Sequence, residues 1–291
     1  MDRRTFLGTA AALPAFAGGV RILDTHTHFY DPSRPHGVPW PSTDNQTLYR
    51  PVLPPEFEKL TAPLGVAGTI VVEASPWLED NQWVFDLAAR HPVIRGFVGH
   101  LDPGQPSFAA NLERFRRNSL FLGIRLGGAA LAKESNNPAF LRDMQRLADA
   151  GLELDVLGGP SPFADTARLS DRVPGLRIVL NHLPNDAPKD SAALSALRGR
   201  PNIYGKVSGV LRRVDGRVPL EADFYRESLE ELWAAFGEDR LVYASNWPVS
   251  NLTAPYPQVL GIVQSYFAAK GAAASAKFFW KNAVTAYRCR P

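Results

Sequence analysis

Arg21-Ile22-Leu23-Asp24-Thr25-His26-Thr27-His28-Phe29 is an apolar run that ends in two alternating histidines. Side chains alternate across a β-strand, so His26 and His28 share one face at the strand's C-terminal end. Two imidazoles at the exit of an otherwise apolar strand are costly to bury unless they bind or polarise something. Runs of the same kind recur at 68–74, 94–100, 121–126, 152–157, 176–182, 202–208 and 241–245. Helical patterns lie between them at 78–90, 108–118, 138–150, 164–172, 191–197 and 224–236. In the last of these, Leu229, Leu232, Trp233 and Phe236 make the apolar stripe. Strand–helix alternation implies a parallel sheet covered by helices, and eight strands in this order predict an α/β fold, a single-domain (β/α)8 TIM barrel over 21–291. Gly151, Pro174-Gly175 and Pro201 stand where a helix must stop before the next strand. An open nucleotide-binding sheet loses its usual basis, because neither a G-x-G-x-x-G turn nor a P-loop follows the first strand.

The chain has 291 residues, 45% of them hydrophobic, which suffices for one large buried core. Its 32 basic residues are nearly matched by 29 acidic ones and form no long run, which argues against nucleic-acid binding. Cys289 is the single cysteine, so an intramolecular disulfide and a cysteine-rich metal site are both excluded. At the N-terminus, Arg3-Arg4 precedes Phe6-Leu7, a small apolar stretch and Ala15-Phe16-Ala17. This is similar to a twin-arginine signal peptide spanning 1–17, and implies export to the periplasm or beyond. No other apolar run is long enough to span a bilayer, so no membrane association beyond export is expected. The segment 31–63 breaks the alternation and is rich in proline, with Trp40 and Tyr49. Following the first strand directly, it is expected over the C-terminal mouth of the barrel, where long loops shape active sites.

Four more features could carry chemistry. His182 closes the run Leu176-Arg-Ile-Val-Leu-Asn-His182, and Lys206 interrupts the apolar strand Tyr204-Gly-Lys206-Val-Ser208. Tyr243-Ala-Ser-Asn246-Trp247-Pro248 ends the last strand, and Asp155 and Glu73 each put a charge into an apolar strand near the mouth. Taken together with Gly123-Ile124-Arg125 and Asn282-Ala283, these motifs resemble the amidohydrolase-related barrels, in particular their lactonase branch, from about residue 21 to the end. The resemblance implies a hydrolase that opens a sugar or sugar-acid lactone, a small-molecule substrate, and either no cofactor or one divalent, zinc-like metal. It implies that His26, His28 and His182 hold that metal or, without one, polarise the lactone carbonyl. Lys206 is then expected to stabilise the developing oxyanion, its structural alternative being an ion pair with Asp155. Arg125 is expected to meet a substrate oxygen pair, its alternative being an ordinary ion pair. Tyr30, Trp40 and Trp247, with Phe29 and Trp77, are candidate stacking surfaces for a sugar ring.

One departure matters. The family places Asp where this chain has Asn246, and an amide neither takes a proton from water nor supplies ligand charge. The base is therefore expected to be Asp155 or Glu73, or else a histidine, with Asn246 orienting the water. The same loss weakens the case for a tightly bound metal. Two other readings stay open: a metal-dependent decarboxylase of the same superfamily, and a catalytically silent periplasmic sugar-binding barrel. An enzyme predicts a carboxylate within reach of the histidines; a binding protein predicts none.

Overall fold

The eight apolar runs pair in chain order into one parallel sheet. The strands are β1 (Ile22–Thr27), β2 (Val66–Val72), β3 (Ile94–Gly99), β4 (Phe121–Gly127), β5 (Glu153–Leu157), β6 (Arg177–Leu180), β7 (Ile203–Val207) and β8 (Leu241–Tyr243). The computed structural model describes residues 20–158, 162–183 and 194–290. The signal peptide expected at 1–17 and the first residues of the helix expected at 191–197 lie outside this range. Among the described residues the helices include α1 (Pro54–Thr61), α2 (Asp80–Ala88), α3 (Phe108–Phe115), α4 (Gly128–Glu134), α5 (Pro138–Asp149), α6 (Pro162–Arg172), α7 (Arg226–Phe236), α8 (Tyr256–Ala269), α9 (Ala272–Ala276) and α10 (Asn282–Tyr287).

Local sequence explains these elements. In α5, Asn137 caps the first turn by accepting the Ala139 amide, Pro138 fits the N1 position, and Phe140, Met144 and Leu147 recur on the buried face. The segment 31–63 is not wholly loop: its end folds as α1, which opens at Pro54-Pro55 and buries Phe57. The chain beyond 245 holds helices that the amphipathic pattern did not reveal. Along α8, Tyr256, Val259, Leu260, Ile262, Val263, Tyr266 and Phe267 are all buried, so no polar face marks the helix period.

The core has two layers. Between sheet and helices lies the larger cluster. Inside the barrel, Leu23, Ile70, Val72, Val98, Leu122, Val179, Tyr204 and Val242 pack against Ala283, Ala286, Tyr287 and Cys289. The C-terminal helix α10 therefore plugs the end of the barrel opposite the mouth. Arg177 at the start of β6 clamps it, donating from Nε to the Ala286 carbonyl at 2.6 Å and from Nη2 to the Gly151 carbonyl at 2.5 Å.

The sheet closes without a full ladder between β8 and β1. Among the described residues that edge carries one parallel bridge, Thr27 with Trp247, and the His28 amide donates to the Trp247 carbonyl at 2.9 Å. Side chains of the histidine motif complete the seam.

Candidate active site

Asp24 is fully buried between β1 and β8. Its Oδ1 accepts the Ser245 amide at 2.9 Å and the His26 amide at 3.2 Å, and its Oδ2 accepts the Tyr256 hydroxyl at 3.0 Å. Burial pushes its pKa up to about 6, against these hydrogen bonds. Thr25 donates to the Tyr243 carbonyl at 2.7 Å across the same seam. The β1–β2 register slips between Asp24 and Thr27, so one extra residue is accommodated there. This bulge re-aims the chain. Leu23 packs inside the barrel, and His26, an odd number of residues later, also reaches interior partners. Asp24 was missed in the sequence, although it is a charge in an apolar strand, the same signal that marked Asp155 and Glu73.

The histidines form a directed chain. The Val72 carbonyl can only accept, so His28 donates to it from Nδ1 at 3.0 Å and leaves its Nε2 bare. His26 Nε2 lies 3.2 Å from that bare nitrogen and must carry the proton between them. His26 Nδ1 is then an acceptor, and the Lys206 ammonium faces it at 3.4 Å. These tautomers are assigned from the partners. His182 lies beyond β6 with a left-handed backbone (φ 58°), its Nδ1 3.0 Å from Ser208 Oγ and its ring centroid 4.5 Å from that of His26. All three rings are held neutral. Burial first, then the Arg125 charge, lowers His28 to about 3; burial, then Lys206, lowers His182 to about 3 and His26 well below the usual range.

Lys206 has no exposed surface and lies beneath His26. It donates to Asp155 Oδ2 at 2.5 Å, the ion pair foreseen as its alternative. In this structure Lys206 thus stands in an ion pair, with its ammonium against His26 and its charge felt at the His182 ring. Asp155 is equally buried, and its Oδ1 accepts the Tyr287 hydroxyl at 3.0 Å. With both oxygens engaged below the histidines, Asp155 is linked to them through Lys206 and has no free edge toward a water at the mouth.

Glu73 and Arg125 form the second ion pair. Arg125 donates from Nε to Glu73 Oε1 at 2.9 Å and from Nη2 to the Glu73 carbonyl at 2.8 Å. Glu73 lines a small cavity with Tyr30, Arg34, Trp40, Asn81 and Trp83. Arg34 in that wall is itself paired to Asp80 at 2.8 Å. Trp40 lies between the aromatic ring of Tyr30 (centroids 5.3 Å) and His28 (5.5 Å). Tyr30 is buried and donates its hydroxyl to the Leu48 carbonyl, so it backs Trp40. The expectation for Trp247 is corrected: its ring is fully buried against Phe29 and Phe57 and offers no stacking surface. Phe29 is likewise buried, whereas Trp77 is exposed beside His36.

Asn246 follows the seam in a left-handed backbone (φ 60°), a conformation asparagine tolerates, and its Oδ1 has no partner. Asn181, next to His182, is 1% exposed and has no partner on either amide atom. It was not foreseen, though it is a polar residue at the end of an apolar strand. The donor set does not fit a tightly held divalent ion. It contains imidazoles without a carboxylate, His26 Nε2 is committed as a donor by Lys206, and the described residues contain no cluster of three or more His, Cys, Asp or Glu ligands able to hold one.

Comparison with known proteins agrees with this frame. The family profile described as Amidohydrolase matches residues 23–289. An L-fucono-1,5-lactonase of Burkholderia ambifaria is 29% identical over 79% of this chain and 81% of its own. A second L-fucono-1,5-lactonase, from Burkholderia multivorans, is 27% identical over 94% of this chain and 96% of its own. A solved amidohydrolase from Burkholderia multivorans with bound zinc superposes with a TM-score of 0.81 at 24% identity, covering 92% of this chain and 99% of that one.

Proposed function

The chain belongs to the amidohydrolase family, and from that premise we propose that it opens the ring of a neutral sugar lactone by adding water to a carbonyl polarised by His26. The relatives named L-fucono-1,5-lactonase support a lactonase-type hydrolase. The observation that carries the reading is the His26–His28 contact, a protonated Nε2 3.2 Å from a bare one. A lactone carbonyl oxygen entering there takes a hydrogen bond from His26 Nε2–H, and a water takes the lone pair of His28 Nε2.

His28 removes the water proton as the hydroxyl oxygen bonds to the carbonyl carbon. His26 donates to the oxyanion of the tetrahedral intermediate. When the ring C–O bond breaks, His28 returns its proton to the leaving alkoxide. A pKa near 3 makes His28 a weak base in the resting site, and negative charge developing on the oxyanion strengthens it. Asn246 Oδ1, unpartnered, accepts a hydrogen bond from the water's second O–H and fixes the attack direction. Asp155 is assigned to holding Lys206, and Glu73 to holding Arg125 and accepting a substrate hydroxyl.

Charge accounting favours a neutral ring. Arg34, which lines the cavity, and Arg125, which holds its Glu73 wall, are already paired with carboxylates. Among the described residues lining that cavity, a substrate carboxylate would find no unpaired cation and would meet Asp80 and Glu73. The Arg3-Arg4 leader supports activity in the periplasm. An exported protein beginning at Gly18 would bear this out.

The test is a panel of five- and six-membered aldonolactones beside lactones carrying carboxylates, followed with a pH indicator. Turnover of neutral lactones, lost in His28→Asn, is expected. Turnover only of carboxylated lactones, or carbon dioxide release from an aromatic acid, would overturn the assignment.

A further inference from the structure

We infer that Tyr287, on the helix that plugs the far end of the barrel, is a positioning residue that sets the tautomer of His26 through Asp155 and Lys206. The catalytic consequence rests on the lactonase reading above; the tautomer itself does not.

The route is continuous and each donor has one acceptor. Tyr287 donates its hydroxyl to Asp155 Oδ1 at 3.0 Å. Asp155 offers its other oxygen to Lys206 at 2.5 Å. Lys206 presents a remaining N–H to His26 Nδ1 at 3.4 Å. An ammonium has no lone pair, so His26 Nδ1 must be the acceptor and the ring proton must stand on Nε2, facing the mouth. Were the proton on Nδ1, it would point at the ammonium, and Nε2 would face His28 with no hydrogen between two lone pairs.

Tyr287 touches this system twice. Its ring also lies under the Lys206 ammonium, 5.5 Å from Nζ to the ring centroid. Its place is fixed by Arg177, which holds the preceding Ala286 carbonyl. Glu153, buried on the same face two residues before Asp155, has its carboxyl pushed well up by burial and by the Asp155 charge, and it neighbours Asp155 closely enough to share a hydrogen bond. At this level Asp155 and Lys206 form the ion pair, and the Tyr287 hydroxyl is the donor that holds the other Asp155 oxygen. Without it, Asp155 Oδ1 loses this donor, the carboxylate turns toward Lys206, and the already long Lys206–His26 contact opens.

The experiment reads the imidazole nitrogens of ¹⁵N-histidine-labelled full-length protein by long-range proton–nitrogen correlation. In the wild type, His26 should show the proton on Nε2. Tyr287→Phe keeps the ring and removes only the hydroxyl; it should move His26 toward a mixture of tautomers. On a lactone that the wild type opens, it should lower kcat about tenfold with KM within about twofold. Asp155→Asn/Lys206→Met removes both charges together, avoiding an isolated buried ion, and should produce the same spectral change with a larger loss of kcat. A purely structural tyrosine would lower the melting temperature and leave the His26 signals and kcat alone. That result, or a wild-type His26 protonated on Nδ1, overturns the inference. If no lactone is opened, the lactonase reading falls, while the spectra of the three proteins still decide the role of Tyr287.

Discussion

The Asp24 carboxylate accepts the Ser245 amide at 2.9 Å and so joins the first strand to the last, where the sheet has no ladder. The same oxygen holds the His26 amide, so closure of the barrel and orientation of the first histidine depend on one group. Asp24→Ala leaves these two buried amides and the Tyr256 hydroxyl without an acceptor, and should destabilise the protein by roughly 2–5 kcal/mol. Asp24→Asn keeps one acceptor oxygen for the amides and should cost less. Urea denaturation of both variants measures the difference. Equal, small losses would mean that the seam is held elsewhere.

Stability should fall on acidification. His28 and His182 have folded pKa values near 3, and His26 lies well below its usual 6.5. Between about pH 3 and 6.5 the unfolded chain therefore binds more protons at these rings than the folded one, and stability rises with pH. Asp24, raised from 3.8 to about 6, acts in the opposite sense: its contribution is present below about 4 and is lost as pH rises through 6. Glu153, also raised, opposes the rings in the same way. Three imidazoles outweigh two carboxyls, so metal-free protein should lose stability from pH 7 to 4. Removing one opposing group in Asp24→Asn should steepen that slope between pH 4 and 6. A flat or inverted profile in calorimetry would show that the rings are solvated.

The barrel was legible because each strand is an apolar run bounded by turn residues, and strand order follows from parallel pairing in sequence. The Lys206–Asp155 pair was legible as an option, because two charges in apolar strands of one barrel, β5 and β7, need each other. Three things were not. The inward aim of His26 depends on a bulge after Asp24, and strict alternation cannot show one. The fate of Trp247 depends on Phe57, brought over it by α1 from a segment that reads as loop. The plug was hidden because α9 is a short alanine-rich helix and α10 buries Ala283 and Ala286, too small to make a strong stripe. Tautomers are set by partners on four different strands and follow from no local pattern.

Glu73 neutralises Arg125 through Oε1 and should thereby exclude carboxylated lactones. Glu73→Gln keeps the shape and removes the charge. It should lower kcat/KM for neutral lactones and raise it about tenfold for analogues bearing a carboxylate, because Arg125 becomes available for a charge-assisted pair. Steady-state kinetics on matched substrates decides this. If selectivity is unchanged, Arg125 lies outside the substrate's reach.

Asn246 separates a carboxylate-free site from one with a ligand charge. It sits between two seam contacts, Ser245 Oγ to the His26 carbonyl at 3.5 Å and the His28 amide to the Trp247 carbonyl at 2.9 Å, so its side chain starts beside both histidines. Asn246→Asp adds an anionic oxygen donor to neutral imidazoles, which favours a divalent cation. After chelation and dialysis against micromolar zinc, the variant should hold close to one equivalent by elemental analysis, and the wild type well below that. Zinc on His26 Nε2 must move the ring proton to Nδ1, toward the Lys206 ammonium, so Lys206 opposes uptake. Adding Lys206→Met with Asp155→Asn to Asn246→Asp should therefore tighten zinc binding further. Equal zinc content in wild type and Asn246→Asp would show that the imidazoles alone suffice, and that the tautomer imposed by Lys206 yields to the metal.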